Sequence, residues 1–271
     1  MNAASGVTLS AAATAFDEVA GSYDALFTHT SIGRAQRKQV WMRLLAGFPP
    51  SSRILELNCG TGEDARFLAM VGHSVLACDA SPKMIQLARN RADYDRYAPD
   101  VHFLQLPNEN LRFLMDGPRF DGAFSNFAGL NCVADLRPIA AALADLVRPG
   151  GRLVLCFLTR VCLAEILWYL LHAHPKKAFR RFAGKSTVRL GRRAISVFYP
   201  TAREIRRCFS PWFRLTSRRA VGLFVPPSYC EPAIREHRKL LARLESLDRV
   251  CAHWPVLRSL GDHLLLEFVR C

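Results

Sequence analysis

Ile54-Leu55-Glu56-Leu57-Asn58-Cys59-Gly60-Thr61-Gly62-Glu63 opens as an apolar strand, turns through glycine and continues as a helix. Such a break lets bare backbone approach a ligand at the mouth of a parallel sheet. Gly60 and Gly62 supply positive φ or a surface without Cβ. Asn58 stands where similar loops often carry a third glycine, and Asn is among the non-glycine residues that best tolerate the left-handed region. Seventeen residues after Gly62, Val75-Leu76-Ala77-Cys78-Asp79 reads as a second strand ending in a carboxylate. A carboxylate there is placed to accept hydrogen bonds from a ribose diol, so the chemistry is recognition of a nucleoside-bearing small molecule.

A nicotinamide or flavin site favours a further glycine three residues after Gly62, beneath a pyrophosphate; Ala65 stands there, which some dinucleotide sites accept. Glu56 inside the motif and Glu63-Asp64 in the first helical turn repel a diphosphate at that helix N-terminus. A cofactor without phosphate fits better. A lone strand, glycine turn and helix is often only a tight connection in an α/β sheet, so the reading depends on what accompanies it.

Three further motifs follow in order: Asp79-Ala80-Ser81-Pro82-Lys83-Met84 with Ala88, Phe120-Asp121-Gly122-Ala123-Phe124-Ser125-Asn126, and Leu146-Val147-Arg148-Pro149-Gly150-Gly151-Arg152-Leu153-Val154-Leu155. Together the four resemble class I S-adenosylmethionine-dependent methyltransferases, particularly the branch similar to quinone-biosynthesis methyltransferases, over residues 14–158. The resemblance implies an α/β fold: a Rossmann-like three-layer sandwich around a seven-stranded, mostly parallel sheet with an antiparallel last strand, plus a helical cap and a basic insertion. It implies S-adenosylmethionine as cofactor. The residues it carries over as cofactor-binding are Tyr23 and Arg37 in the cap, with Arg34 as an alternative to Arg37; Glu56, Asn58, Cys59, Gly60 and Gly62 in the turn; Asp79, Ala80 and Met84; and Asn126 and Phe127. Two departures stand out. Asn58 replaces the usual first glycine, and Pro107 occupies the place where family members commonly put an acid that binds the adenine amino group, which passes that role to Asn108 or Glu109.

The elements that must position these residues follow from apolar spacing. Helices are expected at 16–27 and 33–46, and strands at 53–57, 74–78, 101–105, 120–126 and 152–157, with helices between them. Short apolar runs alternating with helical patterns mean a parallel sheet covered on both faces. Ser81-Pro82 reads as an N-cap and first helical residue, and Thr201 with Glu204 carries a capping-box signature. Final strands are expected at 213–225 and 262–269, joined by a helix around 231–251. The domain organisation expected is a flexible tail at 1–15, then one methyltransferase domain at 16–271 with a helical cap at 16–50 and a variable lid or insertion at about 159–200.

At 271 residues the chain is long enough for one large α/β domain. Its nine cysteines are scattered with no C-x-x-C pair, which suggests neither a metal site nor a disulfide framework, and points to reduced thiols in the cytoplasm. The uncharged first fifteen residues lack the basic start of a secretory signal. No run reaches the roughly 18–20 apolar residues of a spanning helix.

Charge divides the chain. Residues 1–151 hold 14 basic and 15 acidic side chains, net −1, whereas residues 152–271 hold 23 and 8, net +15. Between Lys176 and Arg219, fourteen basic residues meet one acid, Glu204. Just before them, 161–172 is apolar nearly all round and too short to span a bilayer. It reads as a buried helix with a solvated basic loop, as a lid over an apolar substrate, or as a peripheral contact with an anionic membrane surface. A basic stretch interleaved with Phe179, Phe182, Phe198 and Tyr199 also suits nucleic acid. However, Ser125-Asn126-Phe127-Ala128 does not match the Asn/Asp-Pro-Pro-aromatic signature of amino-methylating nucleic-acid enzymes.

The function expected is transfer of a methyl group from S-adenosylmethionine to a small apolar or aromatic metabolite by direct displacement. Such a reaction needs alignment and exclusion of water more than a catalytic triad. The alternatives are an RNA methyltransferase using the basic C-terminal half, and a non-catalytic adenosylmethionine-binding protein. His29, His172, His174, His253, His263, Tyr23 and Tyr199 are possible bases, and the sequence singles out none of them. It assigns no oligomeric state either.

Overall fold

A computed structural model describes residues 9–93 and 100–271; residues 1–8 of the expected tail lie outside the described residues. The strands are β1 (Arg53–Leu57), β2 (Ser74–Asp79), β3 (Val101–Gln105), β4 (Phe120–Ser125), β5 (Val147–Leu158), β6 (Lys185–Leu190), β7 (Arg193–Phe198), β8 (Phe213–Val221) and β9 (His263–Arg270). The helices are α1 (Ala11–Tyr23), α2 (Ser31–Gly47), α3 (Glu63–Met70), α4 (Pro82–Asp93), α5 (Arg137–Leu146), α6 (Leu163–Leu171), α7 (Pro175–Ala178), α8 (Ala202–Phe209), α9 (Glu231–Ile234) and α10 (Arg238–Cys251).

Seven strands form one sheet in the order β3-β2-β1-β4-β5-β9-β8. The last strand of the chain, β9, runs antiparallel to both neighbours, with Leu153 opposite Phe268 and Phe213 opposite Arg270. Alternate side chains of the central strands feed two separate cores. Leu55, Leu57, Ala123, Leu153 and Leu155 pack with Leu143 of α5 and Phe209 of α8 on one face. Ile54, Phe124, Val154, Val75 and Ala77 pack with Leu44 of α2, Leu68 of α3 and Ile85 of α4 on the other. Burial on both faces is why these strands read as nearly continuous apolar runs. It makes the three-layer sandwich.

Differences from expectation sit at ends and in the insertion. Helix α1 starts at Ala11 rather than 16, because the Ser10 hydroxyl accepts the Ala13 N–H at 3.1 Å and caps it. It ends at Tyr23 in a π-helical turn, Asp24–Thr28, before Thr30 caps α2. Strand β5 begins at Val147, five residues early, with Gly150 at φ 76° inside it. Strand β8 stops at Val221, where Gly222 turns the chain at φ 67°. The helix expected around 231–251 is two, α9 and α10. The insertion carries an unforeseen hairpin, β6–β7, pairing Val188 with Ile195 and turning at Gly191. The capping box at Thr201 and Glu204 is present as expected.

The loops after β1, β2 and β4 open together at the C-terminal edge of the parallel strands. Helix α1 and the hairpin close over them: Ala15 packs with Ile195, Val197 and Tyr199, and Arg193 pairs with Glu18 at 2.7 Å. Among the described residues, no helix is long and apolar enough to cross a membrane.

Candidate cofactor and acceptor site

The turn after β1 has the backbone its residue types require. Asn58 sits at φ 57°, Gly60 at φ 54° and Gly62 at φ 78°. A Cβ on Gly62 would lie 2.6 Å from the Phe103 ring, so helix and sheet approach there closely enough to exclude any side chain. At Gly60 the nearest atom to such a Cβ is on Tyr23 at 3.9 Å, which leaves bare backbone facing open space. The Cys59 N–H donates to the Cys78 carbonyl at 2.9 Å and ties the turn to β2.

Asp79, at the end of β2, is held by the same turn. One carboxylate oxygen accepts the Gly60 N–H at 2.9 Å and the other the Ser81 N–H at 2.8 Å. Burial raises its pKa despite the opposing pull of those amides. Ser81 accepts the Met84 N–H at 3.1 Å as the N-cap of α4 and donates to Asp17 of α1 at 2.6 Å. Asp17 also accepts the Lys83 N–H at 2.9 Å, a favourable place for a carboxylate at a helix start. Helix α1 is thereby pinned across the mouth of the sheet.

Arg37 reaches in from α2 and is 6% exposed, whereas Arg34 on the same helix is exposed. Arg37 bonds Asp64 at 2.7 Å, and Asp64 also accepts from Trp41 at 2.6 Å and Asn126 at 2.9 Å. The guanidinium lies 4.8 Å from the Phe127 ring centroid. Burial works to lower its pKa, but the Asp64 carboxylate outweighs that and raises it, so the charge is permanent. Its Nε is buried and has no hydrogen-bond partner among the described residues. An orphaned donor of a buried cation costs stability unless a ligand acceptor meets it.

Glu56, 1% exposed, lies beneath the turn, and burial lifts its pKa well above the ordinary carboxylate value, with Asp64 adding to the shift. One of its oxygens has no partner among the described residues.

The two departures from the family pattern have local compensations. The Asn58 side chain accepts from Ser125 at 3.2 Å and Asn108 at 3.4 Å. Opposite it, Phe127 and Ala128 take positive φ, 44° and 68°, and bring Gly129 against Asn58. A Cβ at Gly129 would stand 2.3 Å from the Asn58 Cβ. The side chain added at one place is removed at the other. Pro107 starts the 3-10 turn Asn108–Leu114, which brings Asn108 and Glu109 to the same opening.

These groups surround one cavity of about 340 Å³. Tyr23, Arg37, Asn58, Cys59, Gly60, Asp79, Ala80, Met84, Asn108, Glu109, Asn126 and Phe127 line it; Glu56 and Gly62 do not, lying below the turn. The far end is lined by residues that sequence reasoning missed: Ser10 to Ala13 and Phe16 from α1, Cys132 and Val133, and Ala194 to Ser196 from β7. Period-two alternation around Ile195 and Val197 was the available signal for the hairpin. Nothing in the sequence announced that α1 starts early enough to reach the cavity.

No histidine is among the lining residues. His263 packs against the Phe127 ring with centroids 5.4 Å apart, and burial holds its pKa below the ordinary value. Burial pushes the Tyr23 phenol up to about 12 and the Cys132 thiol up to about 11. Both stay protonated at neutral pH. The cavity thus joins a polar end, with one carboxylate over bare backbone and one buried cation, to an end of small and apolar side chains.

The methyltransferase domain family matches residues 54–151. The chain is 34% identical over 172 residues to a demethylmenaquinone methyltransferase of Mycobacterium sp. (strain KMS), covering 61% of this chain and 69% of that protein. It is 30% identical over 146 residues to the tRNA 5-carboxymethoxyuridine methyltransferase of Escherichia coli (strain K12), covering 52% of this chain and 55% of that one. The chain spans about half the length of several curated relatives it matches. Among solved structures, the CcbJ methyltransferase of Streptomyces caelestis superposes with a TM-score of 0.62 at 15% identity, over 95% of this chain and 98% of that one, a likeness of fold.

Proposed function

The chain belongs to the class I S-adenosylmethionine-dependent methyltransferases, and from that premise we propose that it methylates a small, apolar or aromatic metabolite by direct displacement. The observation that carries this reading is the two-ended cavity. Its polar end suits the family's cofactor: the orphaned Arg37 Nε fits a carboxylate, the Asp79 oxygens keep lone pairs for a ribose diol, and Gly60 leaves room for both. Asn108 and Glu109 are the groups left to meet the adenine. When bound, S-adenosylmethionine supplies an electrophilic methyl group on its sulfonium.

The chain's own contribution is placement. Phe16, Val133 and Ile195 offer an acceptor apolar contact and exclude water, and among the described residues no histidine lines the cavity to take a proton. An acceptor that carries its own acidic oxygen, a phenol or an enol, needs no such base. An alcohol or an amine would.

The basic C-terminal half and the likeness to a tRNA-modifying protein favour RNA as a second reading. The position of one cluster of that charge weighs against it. Arg203, Arg206, Arg207 and Arg214 gather around Phe213 and Cys271, and Phe213 pairs with Arg270 at the N-terminal edge of the parallel strands, opposite the cavity. An RNA held there does not present a base to the Gly60 turn.

The test is methyl transfer from radiolabelled S-adenosylmethionine to a panel of apolar phenols and quinols beside bulk tRNA, with cofactor binding measured by calorimetry against NAD. Label on a phenol, with NAD silent, supports the reading. Label on tRNA alone replaces it with the RNA reading, and cofactor binding with no acceptor labelled favours a non-catalytic binding protein.

A further inference from the structure

Helix α6 is folded the wrong way round for a buried helix. Its only charged residue, Glu165, is 1% exposed, while Leu163, Leu167, Leu170 and Leu171 are 36%, 53%, 45% and 84% exposed. Positions i, i+4, i+7 and i+8 share one face, so the four leucines form a single outward stripe.

The cause lies on the opposite face. Glu165 accepts from Arg180 at 3.1 Å, from Arg181 at 3.1 Å and from the Tyr229 hydroxyl at 3.0 Å, and Arg181 continues to Asp262 at 2.9 Å. This buried network clamps the acid inward and leaves the leucines in water. Single exposed leucines are ordinary, but a continuous stripe marks a contact surface.

Its surroundings identify what it meets. Glu165 is the only acid in residues 159–200, so every exposed charge of the insertion is positive. Lys176 and Lys177 lie on α7, packed against the flank of α6, with Lys177 5.8 Å from the ring centroid of Tyr169, one turn on from Glu165 and away from the leucine stripe. Phe179 and Phe182, 47% and 49% exposed, follow at once. A second copy of the chain would bring like lysines together across a symmetric contact. An anionic bilayer offers apolar depth for the leucines and negative headgroups for the lysines together. With nine residues, α6 is too short to cross it.

We propose that the outward leucine face of α6, with Phe179, Phe182, Lys176 and Lys177, docks the protein on an anionic membrane surface. The same insertion carries Ile195 into the acceptor end of the cavity, so docking places that end next to the source of apolar acceptors. This rests on no particular acceptor and is tested separately from it.

The experiment is flotation with phosphatidylglycerol–phosphatidylcholine vesicles and with phosphatidylcholine alone, for the wild type, Leu167→Glu/Leu171→Glu and Lys176→Gln/Lys177→Gln. Cofactor titration serves as the fold control, because none of these residues lines the cavity. Flotation with the anionic vesicles that fades in salt is expected. The leucine pair should lower it roughly tenfold or more and the lysine pair by less, with cofactor affinity unchanged. Three results overturn the proposal: no flotation of the wild type, equal flotation of the leucine variant, or equal binding to neutral vesicles. So does a vesicle-free dimer, seen by sedimentation, that the leucine variant dissolves, since the occupant is then a second copy.

Discussion

Residues 1–151 and 152–271 solve different problems with different chemistry. The first, net −1, builds the polar end of the cavity, where backbone N–H groups, one carboxylate and one buried arginine have fixed partners. The second, net +15, lends that cavity only a few side chains of β7 and sets its charge around it, on the hairpin that pairs Arg193 with Glu18, on the α7 surface and on the Arg203–Arg214 cluster at the far edge of the sheet. A common ligand can be met by backbone geometry, which tolerates few residue types. An acceptor is met by shape and exclusion of water, which many sequences can supply. Six substitutions and a pH profile probe that division.

Gly60→Arg should have the largest effect. A Cβ there points into open cavity, and the long side chain fills the polar end without touching either core. Calorimetry should find cofactor affinity lost beyond detection, with the circular dichroism of the wild type retained; unchanged affinity would place the site elsewhere.

Arg37→Ala comes next and acts on stability as well as binding. It leaves Asp64 buried with Trp41 and Asn126 but no cation, and an uncompensated buried charge costs about 3–5 kcal/mol. Urea unfolding without cofactor measures that loss. A variant as stable as the wild type would mean that Trp41 and Asn126 alone satisfy Asp64.

Asp79→Asn keeps the size but exchanges an acceptor oxygen for an NH2 group, which cannot accept both the Gly60 and Ser81 N–H bonds. A hydrogen bond to a charged group is worth about 1.5–3 kcal/mol, so affinity should fall roughly tenfold to a hundredfold. Equal binding would remove the carboxylate from the ligand's contacts.

How much of this was legible depended on which kind of constraint a residue obeyed. Gly60, Gly62 and Asp79 were readable because backbone conformation and strand spacing restrict their types, and the β1–β5 segments because burial on both faces leaves apolar runs. The Arg37–Asp64–Asn126 contact joins three loops and helices far apart in sequence, so no local pattern announces it. Helix α6 stayed open to several readings for a definite reason. Its composition is that of a buried helix, and its orientation is set by Arg180, Arg181 and Tyr229, up to 64 residues away from Glu165.

Asn58 and Gly129 test whether the family departure is compensated within the first half. Gly129→Ala forces a Cβ against Asn58 and should cost about 1–3 kcal/mol by overpacking. Adding Asn58→Gly should recover most of that, a coupling that denaturant melts of the single and double variants would measure. Strict additivity would mean the two positions merely coexist.

The smallest expected effect concerns the acceptor end. Burial holds Tyr23 near 12 and Cys132 near 11, so neither ionises between pH 6 and 9 and neither serves as a base there. With a phenolic acceptor, kcat/KM should then rise about tenfold per pH unit up to the acceptor's own pKa and level off above it. A more acidic phenol should move the break downward by its own pKa difference. Tyr23→Phe should change the rate by no more than about threefold and leave the break where it was, since a phenol that stays protonated takes no proton from the acceptor. A break fixed at one pH for acceptors of different acidity would instead belong to the protein. That result would return a base to the cavity and erase the contrast between a chain that binds one ligand by its own polar groups and merely encloses the other.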